Sequence, residues 1–308
     1  MKLVIQIPCF NEEENLESVI ADIPKQIGGI DNIEILILDD GSTDKTVEKA
    51  RQLGLTVYSN SRNLGLAATF KNGLKYALKL GADIIVNTDG DNQYFGGDIP
   101  SLITPILNNS ADMVVGARDI KNHKEFSQIK KVLQCFGSWV VKTISSTDVK
   151  DAPSGFRAFS KECAEKINIF DNFSYTMETI IQASAKGFRI KSVPIRTNPK
   201  TRPSRLFKNN LHYIFRSGCT IIRMFAIYRP FRFFSLFAGF FLFLGMFLGC
   251  RYLYYFLNND GGGHIQSLIL ATILLIVGAL IQVIAIFADL ISINRKLLED
   301  IQAKVNKN

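Results

Sequence analysis

The first half of the chain alternates between two hydrophobic patterns. Short runs rich in Val, Ile and Leu occupy residues 3–7, 33–38, 56–59, 83–87 and 112–115, and helical patterns fill the gaps. Strands that are apolar throughout, with helices between them, predict a mostly parallel sheet covered on both faces. Asn11 is expected to cap a helix with Glu12, Glu13 and Glu14 in its first turn, where negative charge meets the positive end of the helix dipole. Ser42 is expected to cap the next helix, with Asp44 in its first turn. Residues 66–80 predict a helix that stops at Gly81. In such sheets ligands bind at the carboxyl ends of the strands, so the polar residues that follow each strand carry the interest.

The second half follows another pattern. Residues 233–250 hold no charge and only Ser235 as a polar side chain, and residues 267–288 are interrupted only by Thr272 and Gln282. Each run has the roughly 17–25 apolar residues a helix needs to cross a bilayer. A buried hairpin in a soluble core is the alternative, but two such runs in succession are rare in soluble domains. The link Asn258-Asn259-Asp260-Gly261-Gly262-Gly263-His264 is short and turn-forming. Arg229 and Arg232 precede the pair and Arg295 and Lys296 follow it, so the positive-inside tendency predicts both termini on the cytoplasmic side.

Composition sharpens this. With 47% apolar residues in 308, the chain is neither disordered nor collagen-like nor a disulfide-rich mini-protein. The net charge of +8 is local: residues 200–232 hold eight basic side chains, Lys200, Arg202, Arg205, Lys208, Arg216, Arg223, Arg229 and Arg232, and no acidic one. Leu206, Phe207, Leu211, Ile214 and Phe215 interleave with them, a basic amphipathic pattern expected of helices in a bilayer interface. A solvated helix linking two domains is the other reading. The apolar N-terminal stretch is short and broken by Gln6 and Pro8, and is not expected to be a signal peptide. Five scattered cysteines without a C-x-x-C pair predict reduced thiols in a cytoplasmic domain. Three distant histidines predict no zinc site. No nucleic-acid motif accompanies the positive charge, so a nucleic-acid partner is not expected.

Four strand ends carry polar clusters: Pro8-Cys9-Phe10-Asn11-Glu12, Asp39-Asp40-Gly41-Ser42-Thr43-Asp44, Asp89-Gly90-Asp91-Asn92-Gln93 and Gly116-Ala117-Arg118. Neither a P-loop nor a G-x-G-x-x-G turn is present. Asp89 and Asp91, two residues apart, form either a solvated turn or a site for one hard cation, Mg²⁺ or Mn²⁺, which takes one or two carboxylates and completes its shell with water and phosphates. Such an ion would neutralise a departing diphosphate. Asp40 is placed to accept an N–H of a uracil or guanine base, or is an ordinary turn residue. Downstream, Asp151-Ala152-Pro153-Ser154-Gly155-Phe156-Arg157 reads as a loop entering a helix or as an acceptor-side segment. Glu178, on a predicted helix after Phe173 and Ser174, is either an exposed carboxylate or a functional one.

Taken in order, IPCFNEEENL, LDDGSTDKT, NLGLAATFKNG, DGDNQ, VGAR and DAPSGFRAF resemble the family 2 glycosyltransferases, and more closely the dolichyl- and undecaprenyl-phosphate sugar transferases with a C-terminal membrane hairpin. The resemblance runs from residue 3 to about 205. It implies an α/β fold of glycosyltransferase A type, Rossmann-like and mostly parallel, followed by interfacial amphipathic helices and two transmembrane helices. The implied division is a catalytic domain over 1–199, a juxtamembrane segment over 200–232, the membrane helices over 233–290 and a cytoplasmic tail over 291–308. It also implies that Pro8, Phe10, Glu12 and Asp40 surround the nucleoside, and that Asp89, Gly90, Asp91 and Gln93 form the nucleotide-sugar and metal site. Arg118 would face donor or acceptor phosphate, with Asp151 on the acceptor side. Arg157, Arg202 and Arg205 would also serve the acceptor phosphate. Phe10 stands where a tyrosine is usual, and Thr201-Arg202-Pro203-Ser204-Arg205 replaces a common Gly-x-Ser-Lys pattern. The Q-x-x-R-W motif of processive synthases is absent, and the single tryptophan is Trp139.

The expected activity is inverting transfer of one sugar from a UDP- or GDP-linked donor to a polyprenyl phosphate at the cytoplasmic membrane face, dependent on Mg²⁺ or Mn²⁺. The implied partners are the nucleotide sugar, the lipid phosphate, the bilayer and a second copy of the chain through the membrane helices. Two rival readings stand beside it: transfer to another lipid headgroup such as diacylglycerol or ceramide, and a non-catalytic membrane scaffold.

Overall fold

The computed structural model describes residues 1–119, 128–145, 147–169, 175–199, 218–219, 222–223, 225–258 and 265–305. The chain divides into two compact units, residues 1–222 and 223–308. The first is built on a seven-stranded sheet of order β3-β2-β1-β4-β6-β5-β7. Its strands are β1 (Lys2–Cys9), β2 (Asn32–Asp39), β3 (Thr56–Ser59), β4 (Ile84–Asn87), β5 (Met113–Ala117), β6 (Arg157–Ser160) and β7 (Ile190–Pro194). The helices are α1 (Leu16–Ala21), α2 (Thr46–Gln52), α3 (Leu66–Lys79), α4 (Ile99–Leu107), α5 (Gln128–Ser145), α6 (Lys161–Lys166) and α7 (Tyr175–Ala185).

The five runs expected as strands are the first five strands. β1 is central and parallel to both β2 and β4, and Leu3, Ile5 and Ile7 pack with Leu16, Val19, Ile99 and Ile103 in one core cluster. On α3, a side chain at Gly73 would strike Leu38 Cδ1 and come within 2.5 Å of Gln6 Oε1, so this helix lies close against the sheet. Because β1 pairs with β2 on one side and β4 on the other, the chain reverses direction across the sheet here, and a crevice opens at the carboxyl ends of β1 and β4.

β6 changes the expected picture. It runs antiparallel between β4 and β5, pairing Arg157 with Asn87 and with Val115. The segment 151–156 therefore enters a strand, not a helix, and its reversed direction brings it to the ligand-bearing edge. The expected caps also differ. Helix α1 begins only at Leu16, and Asn11, at φ +56°, accepts instead from the Thr43 N–H at 2.8 Å. Ser42 Oγ accepts from the Asn11 N–H at 2.9 Å, while Asp44 Oδ1 takes the Thr46 N–H at the start of α2. These side chains tie the first two strand-end loops together. Helix α3 ends as expected, with Gly81 at φ +80°.

The second unit contains α8 (Pro230–Leu257) and α9 (Ile265–Val305). Pro230 opens α8, where its missing N–H costs nothing. Both helices are long and apolar enough to cross a membrane. Large side chains point outward from them, Leu236 at 69% and Phe243 at 73% exposure, which water would disfavour and lipid would not. They pack through small residues: a Cβ on Gly245 would meet Leu275 Cγ at 2.9 Å, and one on Gly278 would meet Leu242 Cγ at 2.7 Å. Close approach at glycine is a usual way for helices to associate in lipid. Helix α9 continues through the expected tail to Val305.

Candidate functional site

The loops after β1, β2, β4 and β5 and the loop before β6 converge on the carboxyl edge of the sheet. Asp89, two residues beyond β4, is the electrostatic focus. Burial, and then the neighbouring Asp91, push its carboxyl up to about 7, while Arg118 and Arg157 pull the other way. Its Oδ1 is buried without a hydrogen-bond partner. A Cβ on Gly155 would sit 2.9 Å from Asp89 Oδ2 and 2.9 Å from the Tyr175 hydroxyl, so only glycine lets the carboxylate reach the 151–156 loop. Gly90 faces the same limit, with Cys9 Sγ at 2.9 Å and the Pro8 carbonyl oxygen at 3.0 Å from a Cβ there. Asp91 Oδ1 accepts from the Gln93 N–H at 3.1 Å. Gln93 O accepts from the Asn198 N–H, so Gln93 ties into the site through its backbone.

Arg118 and Asp151 form one buried unit. The Arg118 Nε donates to Asp151 Oδ2 at 2.7 Å, its Nη2 to Oδ1 at 3.0 Å and its backbone N–H to Oδ2 at 3.2 Å. Burial works to lower the Arg118 pKa, yet Tyr94, Asp151 and Asp89 together hold it above its ordinary value. The guanidinium lies over the Tyr94 ring at 5.8 Å. The Tyr94 hydroxyl accepts from the Gly155 N–H at 2.9 Å, and burial pushes its pKa up to about 12.

Arg157 is placed differently from the expectation of a phosphate-facing cation. It is fully buried. Its Nε donates to Ser154 O at 2.7 Å, Nη1 to Thr176 O at 2.5 Å and Thr179 Oγ1 at 2.6 Å, and Nη2 to Ala152 O at 2.5 Å. In this arrangement it clamps the 151–156 loop to α7. Burial lowers its pKa to about 10. Glu178 is also fully buried, on α7, and accepts from Gln182 Nε2 at 3.0 Å.

At the other end of the crevice, Phe10 is 38% exposed beyond β1. The buried Glu12 accepts from Asn15 Nδ2 at 2.9 Å, and its N–H donates to Thr46 Oγ1 at 2.8 Å. Asp40 accepts three hydrogen bonds, from Asn60 Nδ2, Leu64 N and Gly65 N. Thus Pro8, Phe10, Glu12, Asp40, Asp89, Gly90, Asp91, Gln93, Arg118 and Asp151 all lie at one edge of the sheet. Lys200, Arg202, Arg205, Phe173 and Ser174 lie outside the described residues.

Sequence reasoning missed Asn87 and Tyr175. Asn87 Nδ2 donates to Gly155 O at 2.9 Å and to the Tyr175 hydroxyl at 3.0 Å, and its Oδ1 accepts from Gln6 Nε2 at 2.9 Å. The available signal was two amides, Gln6 and Asn87, inside strands otherwise apolar.

Among the described residues no group of three or more His, Cys, Asp or Glu side chains could hold a metal ion. Two carboxylates with an unpartnered buried oxygen nevertheless suit a hard cation whose remaining shell is water and phosphate.

The glycosyl transferase family 2 profile matches residues 4–167. The UDP-N-acetylglucosamine–dolichyl-phosphate N-acetylglucosaminyltransferase of Methanococcus voltae is 33% identical, over 62% of this chain and 83% of that protein. The dolichol-phosphate mannosyltransferase of Pyrococcus furiosus is 32% identical, over 70% of this chain and 63% of that one. Among solved structures, glucosyl-3-phosphoglycerate synthase from Mycobacterium tuberculosis, with Mn²⁺, UDP and phosphoglyceric acid, superposes with a TM-score of 0.56 at 19% identity. That match covers 74% of this chain and 78% of that one, a likeness of fold.

Proposed function

The chain belongs to glycosyl transferase family 2, and on that premise we propose that it transfers a single sugar from a nucleoside diphosphate sugar to a polyprenyl phosphate at the cytoplasmic face of a membrane, with inversion. The observation that carries the reading is the Asp89 carboxylate, one oxygen of which is buried and unpartnered, beside the Arg118–Asp151 pair at the ligand-bearing edge of the sheet. The polyprenyl-phosphate relatives and the two apolar helices support the choice of acceptor.

In this scheme Asp89 and Asp91 hold a divalent cation, Mg²⁺ or Mn²⁺, with Gln93 positioning Asp91 through its backbone N–H. When bound, the ion supplies positive charge against the diphosphate, the electrostatic contribution that usually weighs most in such transfers. Solved structures of the same fold contain Mn²⁺ or Mg²⁺ with UDP. Phe10 stacks on the nucleobase, Pro8, Glu12 and Gly90 shape the pocket beneath it, and Asp40 accepts from the base edge. Arg118 places a second positive charge beside the phosphates. Asp151 keeps it there, since both carboxylate oxygens already take Arg118 donors.

An oxygen of the lipid phosphate attacks the anomeric carbon as the bond to the diphosphate oxygen breaks on the opposite face. The acceptor phosphate is already anionic at neutral pH, so Asp151 orients and does not abstract a proton. Arg157 supports the acceptor side by fixing the 151–156 loop, and Arg202 and Arg205 meet the lipid phosphate. The basic segment 200–232 lies on the anionic leaflet, each residue contributing about 1 kcal/mol. Both termini are cytoplasmic, and the chain associates with a second copy through its membrane helices.

The test is an acceptor panel. Purified full-length protein with nucleotide sugars and Mn²⁺ should release nucleoside diphosphate in the presence of polyprenyl phosphate. Release only with diacylglycerol or ceramide would move the acceptor to another lipid, and no release with any donor would return the fold to a scaffold role.

A further inference from the structure

Building on the proposed donor site, we propose that Asn198 is a positioning residue for it: from the segment that follows β7, Asn198 fixes the Asp91 turn in the shape that receives the cation and the diphosphate. Asp91, Asn92 and Gln93 form a tight turn. Asp91 Oδ1 accepts from the Gln93 N–H at 3.1 Å, and Asn92 between them lies at φ +57°. That left-handed backbone carries a cost for every residue but glycine, and asparagine is among the few that bear it. The Asp91 carboxylate moves with this turn, so whatever holds the turn aims the carboxylate.

Asn198 grips the turn at two points. Its backbone N–H donates to Gln93 O at 3.0 Å, and its Nδ2 donates to Asn92 Oδ1 at 3.1 Å. The other amide hydrogen goes to Asp22 Oδ2 at 2.9 Å. Asp22 closes the end of α1 and is a firm anchor, since a Cβ on Gly96 would sit 2.9 Å from its carbonyl carbon. Asn198 carries no charge and bonds to neither carboxylate of the Asp89–Asp91 pair. Its effect on a ligand therefore passes through the turn.

The same segment reaches the cation on the other side of the site. β7 pairs with β5 as far as Pro194 opposite Ala117, and the next residue, Ile195, donates its N–H to Ala117 O at 3.0 Å. Arg118 follows directly. Thr197 forms a bridge with Tyr94, whose ring lies against the Arg118 guanidinium, and the Arg196 N–H donates to the buried Asp98 at 2.6 Å. Residues 195–198 thus run from the strand end that precedes Arg118 to the turn that carries Asp91. Both groups serve the diphosphate in the proposed reading. The segment sets their separation, and Asn198 is its link at the Asp91 end.

The experiment is calorimetric titration of the full-length protein in nanodiscs with Mn²⁺–UDP and, in parallel, Mn²⁺–GDP, with circular dichroism on each variant. Asn198→Asp removes both side-chain donors and sets a carboxylate against Asp22, and should weaken binding of the tighter complex at least about tenfold. Adding Asp22→Asn restores a donor between those two positions, and the Asn92 amide supplies the other by turning over. The double variant should therefore recover to within about threefold of wild type, which a general loss of structure would not do. Asp22→Asn alone keeps an acceptor and should bind as wild type does. If Asn198→Asp does not fold, Asn198→Ala removes the same two bonds without adding charge and should cost at least about threefold. Wild-type affinity in both Asn198 variants, or a loss that Asp22→Asn leaves in place, overturns the inference while the glycosyltransfer reading stands. Asp91→Ala is the control. If it binds as tightly as wild type, or if wild type binds neither complex, the donor site itself fails and this inference with it.

Discussion

Among the site residues, Asp89 and Asp91 are half-buried carboxylates two positions apart. One oxygen of Asp89 is buried and unpartnered, and desolvation with the neighbouring Asp91 pushes its carboxyl up to about 7 in the metal-free protein. That lies above the ~3.9 of an unfolded aspartate, so the native state keeps its proton longer and metal-free stability falls as pH rises from about 4 to 7. Asp89→Asn removes the penalty. At pH 8 it should raise the metal-free unfolding free energy by about 1–3 kcal/mol, seen in denaturant melts, while abolishing turnover. Because cation and proton compete for Asp89, Mn²⁺ affinity should climb up to about tenfold per pH unit below 7 and flatten above it. A flat profile from pH 5 to 8 would place the cation elsewhere. Asp91→Ala should leave circular dichroism unchanged and lower kcat by at least about 10³-fold; full activity would remove Asp91 from the metal site.

At the element scale, the legible parts of the fold were those whose pattern is set by burial alone. β1, β4 and β5 are buried almost throughout and β2 over its last four residues, so they read as apolar runs, whereas β3 is only half-buried or exposed. β6 was not legible, because it is four residues long, begins with a buried arginine and is placed by pairing partners far away in sequence. β7 has only half-buried and exposed residues and ends at Pro194. The acidic cluster of the site was legible from its strand-end position. The Asn87–Tyr175–Gly155 network was not, since it joins residues up to 88 positions apart. The same logic gives contrasting outcomes for two helix glycines. Gly73→Ala drives a methyl into Leu38 and Gln6 and should destabilise by about 1–3 kcal/mol. Gly137→Ala, on α5 with nothing within 4 Å of its Cβ position among the described residues, should stabilise by about 0.4–1 kcal/mol. Equal effects in denaturant titrations would contradict the close packing of α3.

At the scale of the whole molecule, the net charge of +8 equals the eight basic residues of segment 200–232, which precedes the two apolar helices in the chain. The remainder is electrically balanced. Helices α8 and α9 expose most of their large apolar side chains, so the chain should remain with the bilayer through alkaline carbonate extraction; recovery in the soluble fraction would contradict the spanning assignment. If one sugar passes to a lipid phosphate, the mass of the lipid after reaction reports it. Full-length protein, a nucleotide sugar, Mn²⁺ and polyprenyl phosphate should give a lipid heavier by a single sugar residue, with equimolar nucleoside diphosphate and no product from Asp91→Ala. A ladder of added sugars, or an unchanged polyprenyl phosphate while the nucleotide sugar is consumed, would contradict it.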